Sequence, residues 1–195
     1  AKGGHTEIME RLLARGANPN IRSKKKGWTA LHHTAKSGCT DAVRELLDKG
    51  ADLNQQTNNG TTALMFAAEK GHTEIVKLLL DNRADVKLQN NGGSTALHFA
   101  AQNGHAAIVN LLLDKGANPN SQKNNGETAL HWSAYKGHTE IVKLLLQNKA
   151  KLDIGDNDGQ TALPKAAAQG HTEIVKLLLE KGANPNSQKK NDWTA

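Results

Sequence analysis

The tripeptide Thr-Ala-Leu begins at Thr29, Thr62, Thr95, Thr128 and Thr161, each start 33 residues after the one before. A sixth start, Thr194-Ala195, ends with the last residue. Gly38, Gly71, Gly104, Gly137 and Gly170 keep the same interval, and Gly4 lies 34 residues ahead of Gly38. This period limits the fold more than any single motif does. A unit of that length is one supersecondary piece that cannot bury its apolar face alone, so neighbours must stack to bury it. The extra residue falls within "IRSKKKGW", between Asn20 and Thr29. An exposed loop absorbs an insertion at little cost, which argues for a loop there.

Each unit reads as two short helices and a loop. In the fourth, Thr128 is placed to cap the first helix. Leu130, Ser133 and Ala134 follow at helical spacing as a buried stripe of small residues, and Gly137 ends the helix. Thr139-Glu140 opens the second helix, with an acid at its positive end. Ile141, Leu144 and Leu145 form its inward stripe. Helices of about eight to ten residues are marginal alone in water, so stacking must hold them. The predicted fold is all-α, an open α-solenoid of helix-turn-helix units with projecting loops. It forms a single array over 1–195, with a partial repeat at 1–21, full repeats at 22–54, 55–87, 88–120, 121–153 and 154–186, and a truncated start at 187–195. Both ends read as cuts through a longer array.

Composition agrees with small, closely packed helices. Apolar residues make up 37% of the chain and only six residues are aromatic. The formal net charge is +6, which favours an acidic partner over a basic one. Cys39 is the single cysteine, so no internal disulfide forms. No apolar run approaches the roughly 20 residues a membrane helix needs, and "AKGGHTEIME" lacks the apolar core of a signal peptide. A monomer in the cytoplasm or nucleus is expected.

The segment "GSTALHFAAQNGHAAIVNLLLDKGANPN" (Gly93–Asn120) resembles the ankyrin repeat, whose pattern runs Gly-x-Thr-Pro-Leu-His-x-Ala-Ala, then Gly-His, Leu-Leu, Gly-Ala and Asn. The match recurs five times in register across essentially the whole chain. Ala30, Ala63, Ala96, Ala129 and Ala162 stand where the family prefers Pro, which is helpful but not obligatory at that position. Met65 and Pro164 replace the motif His. Arg83 and Lys149 replace the Gly that ends the second helix at Gly16, Gly50, Gly116 and Gly182. A left-handed non-glycine costs roughly 1 kcal/mol or more, so these two ends are predicted to differ, with Asn82 and Asn148 taking the turn. The resemblance implies β-hairpin loops, and a concave inner-helix face that binds partners. It also implies that loop asparagines such as Asn54, Asn120 and Asn186 are open to hydroxylation.

Catalytic or metal chemistry finds little support. His32, His98 and His131 share one repeat position, and His5, His72, His105, His138 and His171 another. Zinc ligands must converge to about 2 Å from the metal, whereas residues one repeat apart lie roughly 8–10 Å apart. The resemblance implies that these histidines bond to backbone and to the capping threonines. Asp153–Lys165 fails the calcium-loop pattern, with Ile154 and Lys165 at ligand positions. No phosphate loop, dinucleotide fingerprint, HExxH, GxSxG or CxxC occurs. The reading is non-catalytic, with no cofactor and no metal.

The expected function is a protein–protein interaction scaffold, binding a protein or peptide, acidic in character, along the inner-helix groove and hairpin tips. The candidate contacts on the helices and at the hairpin base are Trp28, Phe66, Lys70, Phe99, Asn103, Trp132, Tyr135 and Lys136. Those at the tips are Lys25, Lys26, Asn58, Asn59, Asn91, Asn124, Asn125 and Asn157. Aromatics are enriched in binding hot spots, and exposed lysines would steer an acidic segment. Phe66 and Phe99 also admit a pure packing role. Trp193, Lys189 and Lys190 continue the aromatic and basic pattern. Two alternatives remain: nucleic-acid or acidic-ligand binding through the basic tips, and an engineered array.

Overall fold

The computed structural model describes Ile8 and residues 11–186. Residues 11–14 are helical and precede ten helices. These are α1 (Ala30–Ser37), α2 (Thr40–Asp48), α3 (Ala63–Lys70), α4 (Thr73–Asp81), α5 (Ala96–Gln102), α6 (Ala106–Asp114), α7 (Ala129–Lys136), α8 (Thr139–Gln147), α9 (Ala162–Ala168) and α10 (Thr172–Glu180). The odd-numbered helices pack on one another in sequence as an inner layer. The even-numbered helices form an outer layer, each beside its own inner partner. The fold is thus a solenoid of helix pairs, with no strand among the described residues.

Stacking converts the weak stripes of single helices into one continuous core. Leu31, Leu64, Leu97 and Leu130, all two residues after a capping Thr, are each at most 2% exposed. Val43, Val76, Val109 and Val142 form a second fully buried row in the outer helices. Each such side chain contributes on the order of 1.5–3 kcal/mol by leaving water. The stripe of Leu130, Ser133 and Ala134 is buried as expected, while Leu144 is only half-buried and Val142 does more of the inward packing.

Histidine ties the repeats together in two ways. At the start of α1, α5 and α7, the ring Nδ1 of His32, His98 and His131 accepts the amide of Thr29, Thr95 and Thr128 at 3.0–3.1 Å. The other ring nitrogen donates to a backbone carbonyl, at Gln55, Ser121 and Gln160 respectively. These bonds require the neutral ring with its proton on Nε2. The second row reaches backwards. Nε2 of His72, His105, His138 and His171 meets the carbonyl of Lys36, Glu69, Gln102 and Tyr135 in the preceding inner helix, at 3.0–3.3 Å. Gly71 shows why a glycine precedes these rings. Its φ is +75°, and a Cβ there would lie 2.6 Å from Cε1 of His105.

The outer-helix ends overturn one expectation. Arg83 and Lys149 adopt φ of 67° and 66°, the same left-handed turn that Gly50 and Gly116 make at 80° and 84°. Their hydrogen bonds are also the same: Ala84 N–H reaches Leu79 O, as Ala117 N–H reaches Leu112 O. Asn82 and Asn148 do not take the turn. They remain near helical geometry, and their side chains donate to Leu78 O and Leu144 O at 2.9 Å. The following Ala is buried or half-buried against the core and sets the backbone path, so packing outweighs the local strain.

Candidate partner-binding face

The fourth residue after each capping Thr forms one row along the inner helices: His33, Phe66, Phe99, Trp132 and Lys165. The repeat places them in line, but their surroundings differ. At one end, Trp28 of the first hairpin lies over the row, its ring centroid 4.7 Å from His33 and 4.6 Å from Phe66. Phe66 is left only 8% exposed. Lys36 holds its ammonium 5.1 Å from the Trp28 ring and 5.3 Å from the Phe66 ring, and Lys26 lies 5.9 Å from Trp28. Burial lowers the His33 pKa, and the charges of Lys26 and Lys36 lower it further.

A second cluster centres on α7. Trp132 and Tyr135 meet edge to face at 6.2 Å, and Tyr135 remains 40% exposed. Lys123 reaches over the Trp132 ring at 4.8 Å, and Lys136 over Tyr135 at 5.5 Å. The Trp132 indole N–H is buried with no hydrogen-bond partner. Phe99, half-buried, sits one repeat before Trp132, and Asn103 donates its side-chain amide to Phe99 O at 2.8 Å. Lys70 is exposed and pairs with Glu69 at 2.7 Å.

Beyond Trp132 the row ends in a charge network that sequence reasoning did not find. Lys165 bonds to Glu127 at 3.0 Å and Asp156 at 2.8 Å, and Lys123 lies 3.7 Å from Glu127. Asn125 donates to the same Glu127 carboxylate at 2.7 Å. Burial alone would raise the Glu127 and Asp156 pKa values. The Lys165 hydrogen bond to each, joined by Asn125 at Glu127 and the Gln160 amide at Asp156, outweighs burial and holds both below their usual range. The 33-residue interval from Trp132 to Lys165 was the available signal. The pairing to Glu127 was not visible, since it joins residues 38 apart across two repeats.

The tip asparagines are exposed but already engaged. The side-chain amide of each donates to the preceding loop: Asn58 to Lys25 O, Asn91 to Asn58 O, Asn124 to Asn91 O and Asn157 to Asn124 O, at 2.9–3.4 Å. Backbone bonds run beside them, including Asn58 N–H to Lys26 O and Asn91 N–H to Asn59 O, both 3.0 Å. Asn54 and Asn120 make a similar ladder at the outer-helix ends, accepting the amides of Asp85 and Lys151. Lys25, Lys26 and Asn59 remain exposed. Trp193, Lys189, Lys190, His5 and Asn186's following segment lie at or outside the limits of the described residues.

The arrangement offers recognition by shape, ring faces and ammonium groups. Among the described residues, no cluster of three or more His, Cys, Asp or Glu is placed to hold a metal ion, and no helix is long and apolar enough to cross a membrane.

Similarity to known proteins agrees with this architecture. Over 54 residues the chain is 44% identical to the Neurogenic locus Notch protein of Drosophila melanogaster, covering 28% of this chain and 2% of that protein. It is 37% identical over 57 residues to the 2-5A-dependent ribonuclease of Mus musculus, covering 29% and 8%. It is 42% identical over 48 residues to the transient receptor potential cation channel subfamily A member 1 of Homo sapiens, covering 25% and 4%. The chain therefore spans less than a tenth of each of these proteins. The family model for ankyrin repeats matches three times in overlapping stretches, residues 1–90, 50–123 and 97–189, and with the stacked helix pairs it accounts for, the chain belongs to the ankyrin-repeat family.

Proposed function

We propose that this chain is a non-catalytic scaffold that binds a protein or peptide along its inner-helix face, with Trp132 and Tyr135 as the main anchors. Ankyrin repeats generally serve as protein-interaction modules. The observation that carries the finer reading is the edge-to-face pair itself, partly exposed and flanked by Lys123 and Lys136. Rings of this kind lose water readily and bring little side-chain entropy to a contact, which is why they dominate hot spots. Phe99 and Asn103 extend the surface towards the second repeat, where Phe66 continues the row beneath Trp28. The chain would act as a monomer in the cytoplasm or nucleus.

The test compares the intact chain with a Trp132→Ala/Tyr135→Ala variant. Partners captured by the intact chain are purified and their affinities measured for both. Loss of two hot-spot rings is expected to weaken binding by about thirtyfold or more. A purified partner that binds the variant with unchanged affinity, while the helical signal is intact, refutes the assignment.

A further inference from the structure

The charge along the inner face is uneven. The first hairpin exposes Arg22, Lys24, Lys25 and Lys26, and α1 adds Lys36. Among the described residues none of these five pairs with a carboxylate, although cations elsewhere do, as at Lys70–Glu69, Lys115–Asp81 and Lys143–Glu173. The second and third hairpins, 55–60 and 88–93, carry no charged residue. At the far end Lys123 and Lys165 are taken up by Glu127 and Asp156. These five therefore form a cation cluster without a carboxylate partner among the described residues, and it lies three repeats from the Trp132–Tyr135 pair. Within it, Lys36 is held over the joined Trp28 and Phe66 rings, so one ammonium is fixed before any ligand arrives.

We propose that this patch receives the acidic end of a partner peptide whose apolar side chains reach Trp132 and Tyr135; the proposal rests on the inner-face reading above. Three repeat steps of roughly 8–10 Å amount to about 24–30 Å, which about eight extended residues span. The occupant is thus a short segment with Asp or Glu clustered at one end and large apolar side chains about eight residues away. Single-stranded nucleic acid fits less well. It needs open ring faces for bases and a continuous basic track for the backbone. Here the Trp28 and Phe66 faces are occupied by each other, His33 and Lys36, and the basic track breaks at the second and third hairpins, which carry no charge.

The experiment is fluorescence anisotropy on the full chain with defined probes. One is a labelled peptide bearing about four glutamates at one end and a Leu-Phe pair about eight residues on, made in both chain directions. The others are its Glu-to-Gln counterpart and a labelled single-stranded oligonucleotide of similar length. The acidic peptide is expected to bind at least about tenfold tighter than the Gln peptide at low salt, with the gap closing as salt screens it. Lys25→Glu/Lys26→Glu/Lys36→Glu is expected to cost at least about tenfold, and Lys77→Glu/Lys176→Glu on the outer helices less than about twofold. Because Lys36 packs on rings, Lys25→Gln/Lys26→Gln in the exposed hairpin provides a milder variant that keeps α1 intact. Equal binding of the Gln peptide, tighter binding of the oligonucleotide, or equal loss from the outer-face variant overturns the proposal. If Trp132→Ala/Tyr135→Ala abolishes peptide binding and lysine reversal does not, the patch falls and the inner-face reading stands. If neither variant loses affinity, both fall.

Discussion

Replacing His98 with Met should change how this protein responds to acid. His98 is 2% exposed, and its pKa is pushed down to about 4, chiefly by burial. Nδ1 accepts the Thr95 amide at 3.1 Å and Nε2 donates to Ser121 O at 3.0 Å, so a second ring proton would face an N–H donor. The unfolded chain binds that proton near pH 6.5, and the folded chain does so only near 4. Between these values the unfolded state holds more protons. The stability due to His98 is therefore complete above pH 6.5, is lost as pH falls from 6.5 towards 4, and is level below that. By pH 4.5 the loss amounts to about 2.5 kcal/mol. Methionine is tolerated at this position within the same chain: Met65 is 1% exposed, and its amide donates to Thr62 Oγ1 at 3.3 Å. At pH 7.5 His98→Met should cost about 1–3 kcal/mol, because Thr95 N–H and Ser121 C=O lose their partner. At pH 4.5 that difference should shrink by about 2.5 kcal/mol, since the variant has no proton to take up there. Urea unfolding followed by circular dichroism at both pH values and constant ionic strength measures it. Parallel stability profiles for the two proteins would refute the argument.

Two further substitutions test the structural account. Arg83→Gly removes a left-handed side chain that costs about 1–2 kcal/mol, offset by about 0.4–1 kcal/mol of unfolded-chain entropy. A net gain of about 0.5–1 kcal/mol is expected in the urea midpoint, and any loss would mean that Arg83 makes compensating contacts. Lys165→Met should destabilise the chain by about 1–3 kcal/mol by leaving half-buried Glu127 and buried Asp156 without their shared cation; no change in thermal midpoint would show that the network is idle.

Much of the architecture was legible because one 33-residue pattern recurs five times. Stripe positions, capping threonines and the glycines between helices follow from helical spacing within one unit. Their recurrence tells that units must stack. Even the non-catalytic reading comes from this source, since equal intervals spread histidines into rows. Sequence alone therefore determined the solenoid, its helix pairs and the row that crosses the inner face.

Tertiary structure decided what each member of that row became. Phe66 and Trp132 hold the same repeat position, yet Trp28 covers the first, while the second keeps an exposed tyrosine neighbour. Lys165 continues the row but is neutralised by Glu127, 38 residues back, whereas Lys36 finds only rings. Arg83 and Lys149 accept a backbone angle that local preference argues against, because the alanines after them are buried or half-buried and the next amides, of Asp85 and Lys151, are tied to Asn54 and Asn120 of the preceding repeat. Periodicity is a property of the chain taken one unit at a time. Exposure, charge pairing and tolerated strain belong to contacts between units, and those depend on side chains that the repeat does not hold constant.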